Sequence, residues 1–196
     1  NIVVSLGHTN ATAKQVLEAA KLGATSLTHS FNAMKPLHHR EAGTIGGALL
    51  ADNMYLEIIT DLIHVSSEAI QILYRIKGKD KLVVVTDAME AKHLPDGKYQ
   101  LGGQDVFVKN NEARLESGAL AGSVLKMNEA IRNIKNVLGV SLEDAINFAT
   151  INPARNLHID DKKGSIKVGK DADFALIDEE FNVYMTVRGG KVVYSK

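Results

Sequence analysis

The sequence predicts an α/β fold in which four parallel strands alternate with helices to make half of a (β/α)8 barrel, followed by a β-rich remainder. Three observations carry that expectation. Short apolar runs recur through the first ninety or so residues, each followed by a stretch with helical spacing, the pattern of parallel βα units with right-handed crossovers. Each run ends in a residue that can do chemistry: His8, His29, Asp61 with His64 close behind, and Asp87. Beyond Asp87 the pattern shifts to short strands joined by turn-forming pairs, Gly102-Gly103, Asn110-Asn111 and Gly189-Gly190.

In chain order, Ile2–Leu6 reads as a buried-type strand. It opens the sequence at Asn1 with no initiator Met and no leading loop, which suggests a piece of a longer protein. Thr9 or Asn10 is the expected cap of a helix over Ala11–Leu22, stopped by Gly23. Thr25–His29 is the second strand, and Gly43–Ala51, rich in Gly and Ala, is a helix packed closely on its neighbours. Tyr55–Thr60 is the third strand. Ser66 or Ser67 then caps a helix reaching about Ile76, which Lys77-Gly78-Lys79 closes. Leu82–Thr86 is the fourth strand. Continuous apolar strands of this kind are covered on both faces, and half a barrel leaves two open edges.

The remainder predicts strands at Lys98–Leu101, Asp105–Lys109 and Ala113–Glu116. Helices follow over Val124–Leu138 and Leu142–Thr150, with Ser141 as cap and Asn152-Pro153 as terminator. The tail returns to strands at Asp173–Asp178, Val183–Arg188 and Lys191–Tyr194. The expected division is a half barrel carrying the site over residues 1–97 and a β insertion over 98–116. Helices completing the barrel occupy 117–158, and strands of a small β domain occupy 159–196.

Composition narrows the function. The 196 residues are 45% hydrophobic, enough for a substantial core. Lys and Arg (23) balance Asp and Glu (23), so no global field selects nucleic acid or an anionic membrane, and neither is an expected partner. An anionic ligand therefore needs a local site. The absence of cysteine excludes disulfides and thiolate ligands and fits a reducing cytoplasmic setting. No apolar run reaches membrane-spanning length.

The candidate site follows from the strand ends. Neighbouring strands lie about 4.8 Å apart, so His8 and His29 at equivalent ends can converge on one ion. Either histidine alone reads more simply as a core or cap residue; the pair, with Asp87 at a third strand end, favours a divalent metal. Asp87 can ligate such an ion or take a proton from water, and N-capping is its plainer alternative. Asp61 and His64 sit in the same ring, where ligand contact and an ordinary loop role are evenly matched. The loop with Asn32, Ala33 and Arg40 offers amides and a guanidinium to a phosphate or carboxylate. His38 and His39 read as surface residues whose rings cannot point the same way in an extended chain. Leu120-Ala121-Gly122-Ser123 opens the next helix and offers backbone amides.

Those strings together resemble a family. Gly7-His8-Thr9-Asn10-Ala11, Thr28-His29-Ser30-Phe31-Asn32-Ala33-Met34, Asp61–His64, Val85-Thr86-Asp87-Ala88 and Leu120–Ser123 are similar, in that order, to the N-acetylglucosamine-6-phosphate deacetylase family of amidohydrolases. The closing Gly164–Asp178 segment is similar to amidohydrolases more widely. The resemblance implies the carboxyl-terminal portion of a metal-dependent hydrolase barrel beside a small β-sandwich. It implies His8 and His29 as ligands of a divalent ion, zinc first and Fe2+, Mn2+ or Co2+ as alternatives. It makes Asp87 the catalytic acid/base, and makes Asn32, Ala33, Arg40, His64, Leu120, Ala121 and Gly122 contacts to a sugar phosphate. A cytoplasmic homodimer, in which Arg40 reaches the neighbouring subunit's site, is also implied. The family's glutamate ligand and a further substrate-contacting histidine have no counterpart in this sequence, which implies that the chain by itself is inactive. Two alternatives stand beside this: another amidohydrolase, dihydroorotase-like or deaminase-like, or a non-catalytic module that binds a sugar phosphate. Arg40 and Asn32-Ala33 favour a phosphorylated sugar.

Overall fold

The computed structural model describes residues 2–196; Asn1, at the head of the first predicted strand, lies outside the described residues. Four strands, β1 (Val4–Leu6), β2 (Ala24–Leu27), β3 (Tyr55–Ile59) and β4 (Leu82–Val85), pair in parallel in the order β1-β2-β3-β4. Helices α1 (Ala13–Lys21), α2 (Gly43–Leu50) and α3 (Ser67–Lys77) make the crossovers. The α/β expectation therefore holds, with each strand in its predicted place.

The helices sit where the apolar spacing puts them. Val16 and Ala20 on α1, and Ile70 and Leu73 on α3, turn inward onto Leu27, Leu56, Ile58 and Val84 of the sheet. Two further helices, α4 (Met127–Leu138) and α5 (Leu142–Asn147), lead to the short α6 (Ile151–Asn156). Ile134 of α4 and Phe148, just after α5, are fully buried in the same core.

Several expectations need correction. The cap of α1 is Thr12, not Thr9 or Asn10. Thr12 Oγ1 accepts the Gln15 N–H, while Gln15 Oε1 accepts the Thr12 N–H at 2.8 Å, a complete capping box. Thr9 is engaged elsewhere, its carbonyl accepting the Lys35 N–H. Strand β1 is not buried: it is an edge strand, and Val4 is 47% exposed. The other edge is partly closed, because Val84 N–H donates to the Phe148 carbonyl at 2.9 Å. Asn152-Pro153 does not terminate a helix. Pro153 lies in the first turn of α6, where no N–H is required, and buried Asn152 donates to the carbonyls of Lys79 and Leu82. Helix α4 starts at Met127 rather than Val124, so Leu120–Ser123 does not open it.

Strands β5 (Gly97–Leu101), β6 (Gln104–Lys109) and β7 (Glu112–Leu115) form an antiparallel sheet with its own small core of Met89, Ala91, Val106, Val108, Ala113 and Val124. Strands β8 (Phe174–Ile177), β9 (Val183–Arg188) and β10 (Lys191–Ser195) form a second one, in the order β10-β9-β8. Its outer strands β8 and β10 stay largely exposed. Among the described residues no helix is long and apolar enough to cross a membrane.

Candidate functional site

Each parallel strand carries a candidate site residue at the same offset. His8, His29, Asp61 and Asp87 stand two residues beyond the ends of β1, β2, β3 and β4. Parallel pairing brings these equivalent positions to one end of the sheet. The backbone is unusual there: φ is +44° at His8, +27° at His29, +48° at Asp87 and +65° at Leu62, next to Asp61. Left-handed backbone costs a non-glycine residue about 1–2 kcal/mol. Such strain concentrates where a site requires it.

A cavity of about 400 Å³ opens at this end. It is lined by His8, His29, Asn32, Ala33, His64, Asp87, Leu120, Ala121 and Gly122, which are all of the predicted site residues except Arg40. Ala88, Met89 and Leu101 complete the wall and were not anticipated. Leu101 is the last residue of β5, whose docking is a tertiary matter; its Cδ2 lies 3.5 Å from where a Cβ on Gly122 would stand. A larger cavity of about 580 Å³ lies between α5, α6 and β8. Its wall is largely apolar and carries little beyond the Lys163–Asp173 pair, so size alone does not mark the chemistry.

The two histidine rings meet edge to face, with Nε2 atoms 2.9 Å apart. Two nitrogens each about 2.0–2.1 Å from one zinc ion lie roughly 2.9–3.4 Å apart, so the pair fits two positions of such an ion. The same separation serves an N–H···N hydrogen bond, which holds the rings together where no metal is shared. No group of three or more His, Cys, Asp or Glu that could hold a metal ion is assembled among the described residues. Two buried atoms at the histidine pair, His29 Nδ1 and Ser30 Oγ, have no hydrogen-bond partner among the described residues. Unmet polar demand of that kind calls for an explanation at a site.

Asp87 is exposed at the cavity mouth. Its carbonyl accepts the Ser123 N–H at 2.9 Å, Met89 N–H donates to the Ser123 carbonyl, and Ser123 Oγ donates to the Thr86 carbonyl. Those bonds anchor the Leu120–Gly122 segment along the edge of the cavity rather than at a helix start. On β3, Glu57 sits close to His29, and burial raises its carboxyl pKa above the ordinary value. Asn32 Nδ2 donates to the Ser30 carbonyl at 3.2 Å, which fixes the amide.

His64 and Asp61 form a buried pair, Nδ1 to Oδ2 at 2.6 Å. Burial acts to raise the Asp61 pKa, but hydrogen bonds from the His64 ring and from the His64 and Ile63 N–H groups outweigh it, and the net shift is downward. Arg40 is not brought to the cavity. It is exposed on a tight turn closed by reciprocal His38–Glu41 backbone bonds, with its guanidinium 2.7 Å from His39 Nε2. His38 and His39 are on the surface as expected, but their ring centroids lie 4.2 Å apart. The turn overrides the alternation that an extended chain would impose.

Comparison with known proteins places this geometry in a family. The model of the amidohydrolase family matches residues 1–193. The chain is 41% identical over 191 residues to N-acetylglucosamine-6-phosphate deacetylase of Lysinibacillus sphaericus, covering 97% of this chain and 49% of that one. It is 43% identical over 194 residues to the Bacillus subtilis protein of the same name, covering 99% and 49%. The crystal structure of N-acetylglucosamine-6-phosphate deacetylase from Thermotoga maritima superposes with a TM-score of 0.95 at 40% identity, over 100% of this chain and 53% of that one. The chain thus spans about half the length of the curated relatives it matches.

Proposed function

The chain belongs to the amidohydrolase family, and from that premise we propose that it is part of an enzyme that hydrolyses N-acetylglucosamine 6-phosphate to glucosamine 6-phosphate and acetate. One observation carries the reading: the His8 and His29 Nε2 atoms meet 2.9 Å apart in a cavity that Asp87 and His64 also line. The names of the relatives support the substrate.

In this reading residues 1–97 are half of a (β/α)8 barrel, 98–116 an insertion, 117–158 the helical completion, and 159–196 strands of a small β-sandwich. His8 and His29 are two ligands of a divalent ion, zinc by preference, since paired imidazoles suit it. Such an ion supplies Lewis acidity, polarising an acyl oxygen and acidifying water. Asp87 takes the proton from the attacking water and returns it to the departing amine. Asn32, Ala33, His64 and the Leu120–Gly122 edge hold the sugar phosphate. Arg40, exposed and outside the cavity, serves the neighbouring subunit of a homodimer.

The test uses the enzyme that carries this chain. Asp87→Asn is expected to lower kcat by about 10²–10⁴-fold with little change in KM, because the amide keeps the shape but accepts no proton. His8→Ala is expected to lose bound zinc in elemental analysis. Near-normal turnover in the first variant, or full zinc content in the second, overturns the assignment.

A further inference from the structure

The Asp61–His64 pair is built more tightly than a loop needs. The two side chains are only 9% and 7% exposed, and Asp61 uses both oxygens. Oδ1 accepts the N–H groups of Ile63 and His64, each at 2.9 Å, and Oδ2 faces His64 Nδ1 at 2.6 Å. Leu62 between them is held left-handed at φ +65°. A carboxylate can only accept hydrogen bonds, so the 2.6 Å contact requires the proton to be on Nδ1. His64 also lines the cavity, which leaves Nε2 as the nitrogen on that side.

We propose that Asp61 is a positioning residue for His64, fixing the ring with Nδ1–H turned inward and Nε2 presented to the cavity. The carboxylate does not itself touch a ligand. Nε2 is then a lone-pair acceptor in the neutral ring and a donor only in the imidazolium, whose charge Asp61 balances. The inference deepens the proposed function, resting on it for the identity of the ligand that meets Nε2 but not for the tautomer.

Asp61→Asn separates the two. Its amide oxygen can keep both backbone N–H groups, which turns the NH₂ toward His64. The ring must then accept at Nδ1 and carry its proton on Nε2. In the ¹⁵N-histidine-labelled enzyme that carries this chain, at a pH where the ring is neutral, the His64 shifts are expected to show the Nδ1–H pattern in the unsubstituted protein and the Nε2–H pattern in Asp61→Asn. An Nε2–H pattern in the unsubstituted chain overturns the proposal whether or not the variant folds, and so does an unchanged pattern in a folded variant. Glucosamine 6-phosphate is the second probe. Its affinity is expected to fall about tenfold to hundredfold in Asp61→Asn, and to show no such further fall when Asp61→Asn is added to His64→Gln. An inverted tautomer with unchanged affinity upholds the positioning role and removes His64 from the sugar-phosphate site, so the two readings fail separately.

Discussion

Left-handed backbone at His8, His29, Asp87 and Leu62 sets the local cost of this site. The first three line the cavity, and only Leu62 carries an exposed aliphatic side chain with no polar role. Leu62→Gly is therefore expected to stabilise the chain by about 0.5–1 kcal/mol, the relief of αL strain less the added freedom of glycine in the unfolded chain. A rise in the urea midpoint at unchanged slope checks this; a fall shows that the leucine packs against something essential. Asp61 gives the acid response. Its folded pKa lies below the ordinary 3.8, because the hydrogen bonds outweigh the opposing effect of burial. A depressed carboxyl contributes stability that is complete above the unfolded value and is lost as pH falls through the folded one. The stability that Asp61 contributes over Asp61→Asn should thus shrink as pH falls below about 3.8. A difference that persists unchanged to the most acid pH at which the chain stays folded would show that the ionised carboxylate is not what stabilises the loop.

Helix α2 shows what its glycines are for. A Cβ on Gly47 would stand 2.7 Å from Val16 Cβ and 2.8 Å from the Ala13 carbonyl oxygen, both on the adjoining α1. The close packing anticipated for Gly43–Ala51 is thus a helix-to-helix approach that only glycine permits. Gly47→Ala is expected to destabilise by about 1–3 kcal/mol despite alanine's better helix propensity, because overpacking outweighs the gain. Equal or greater stability in urea unfolding would mean that α1 can move away at no cost. The far end of α2 is closed by another element: Lys77 of α3 donates to the Ala51 carbonyl at 2.6 Å. Burial lowers the Lys77 pKa, as expected of an ammonium drawn in to satisfy a helix end.

The whole chain exposes surfaces that a finished domain normally covers. Edge strand β1 is uncovered, and β8–β10 present Leu176, Val192 and Val193 at 56%, 58% and 61% exposure. Unpaired edges and exposed apolar side chains of this kind recruit other chains. The isolated 196-residue chain is expected to self-associate at micromolar concentration, with a scattering mass above that of one chain. A monodisperse monomer over that range would show that these surfaces are too dispersed to drive association.

The sequence by itself determined the βα alternation, because continuous apolar runs and helical spacing are local signals. It also placed the candidate site residues at the strand ends, where His8, His29, Asp61 and Asp87 share one offset that parallel pairing must align. Local competition hid the rest. Thr12 won the cap from Thr9 because Gln15 completes a reciprocal pair, and the turn at His38–Glu41 broke an alternation assumed for extended chain. Only the tertiary structure decided that Leu101 joins the cavity wall and that Arg40 stays outside it. It alone brought the two Nε2 atoms to 2.9 Å. Those outcomes depend on how separate elements dock, and docking follows from packing between residues far apart in the chain, which no local pattern records.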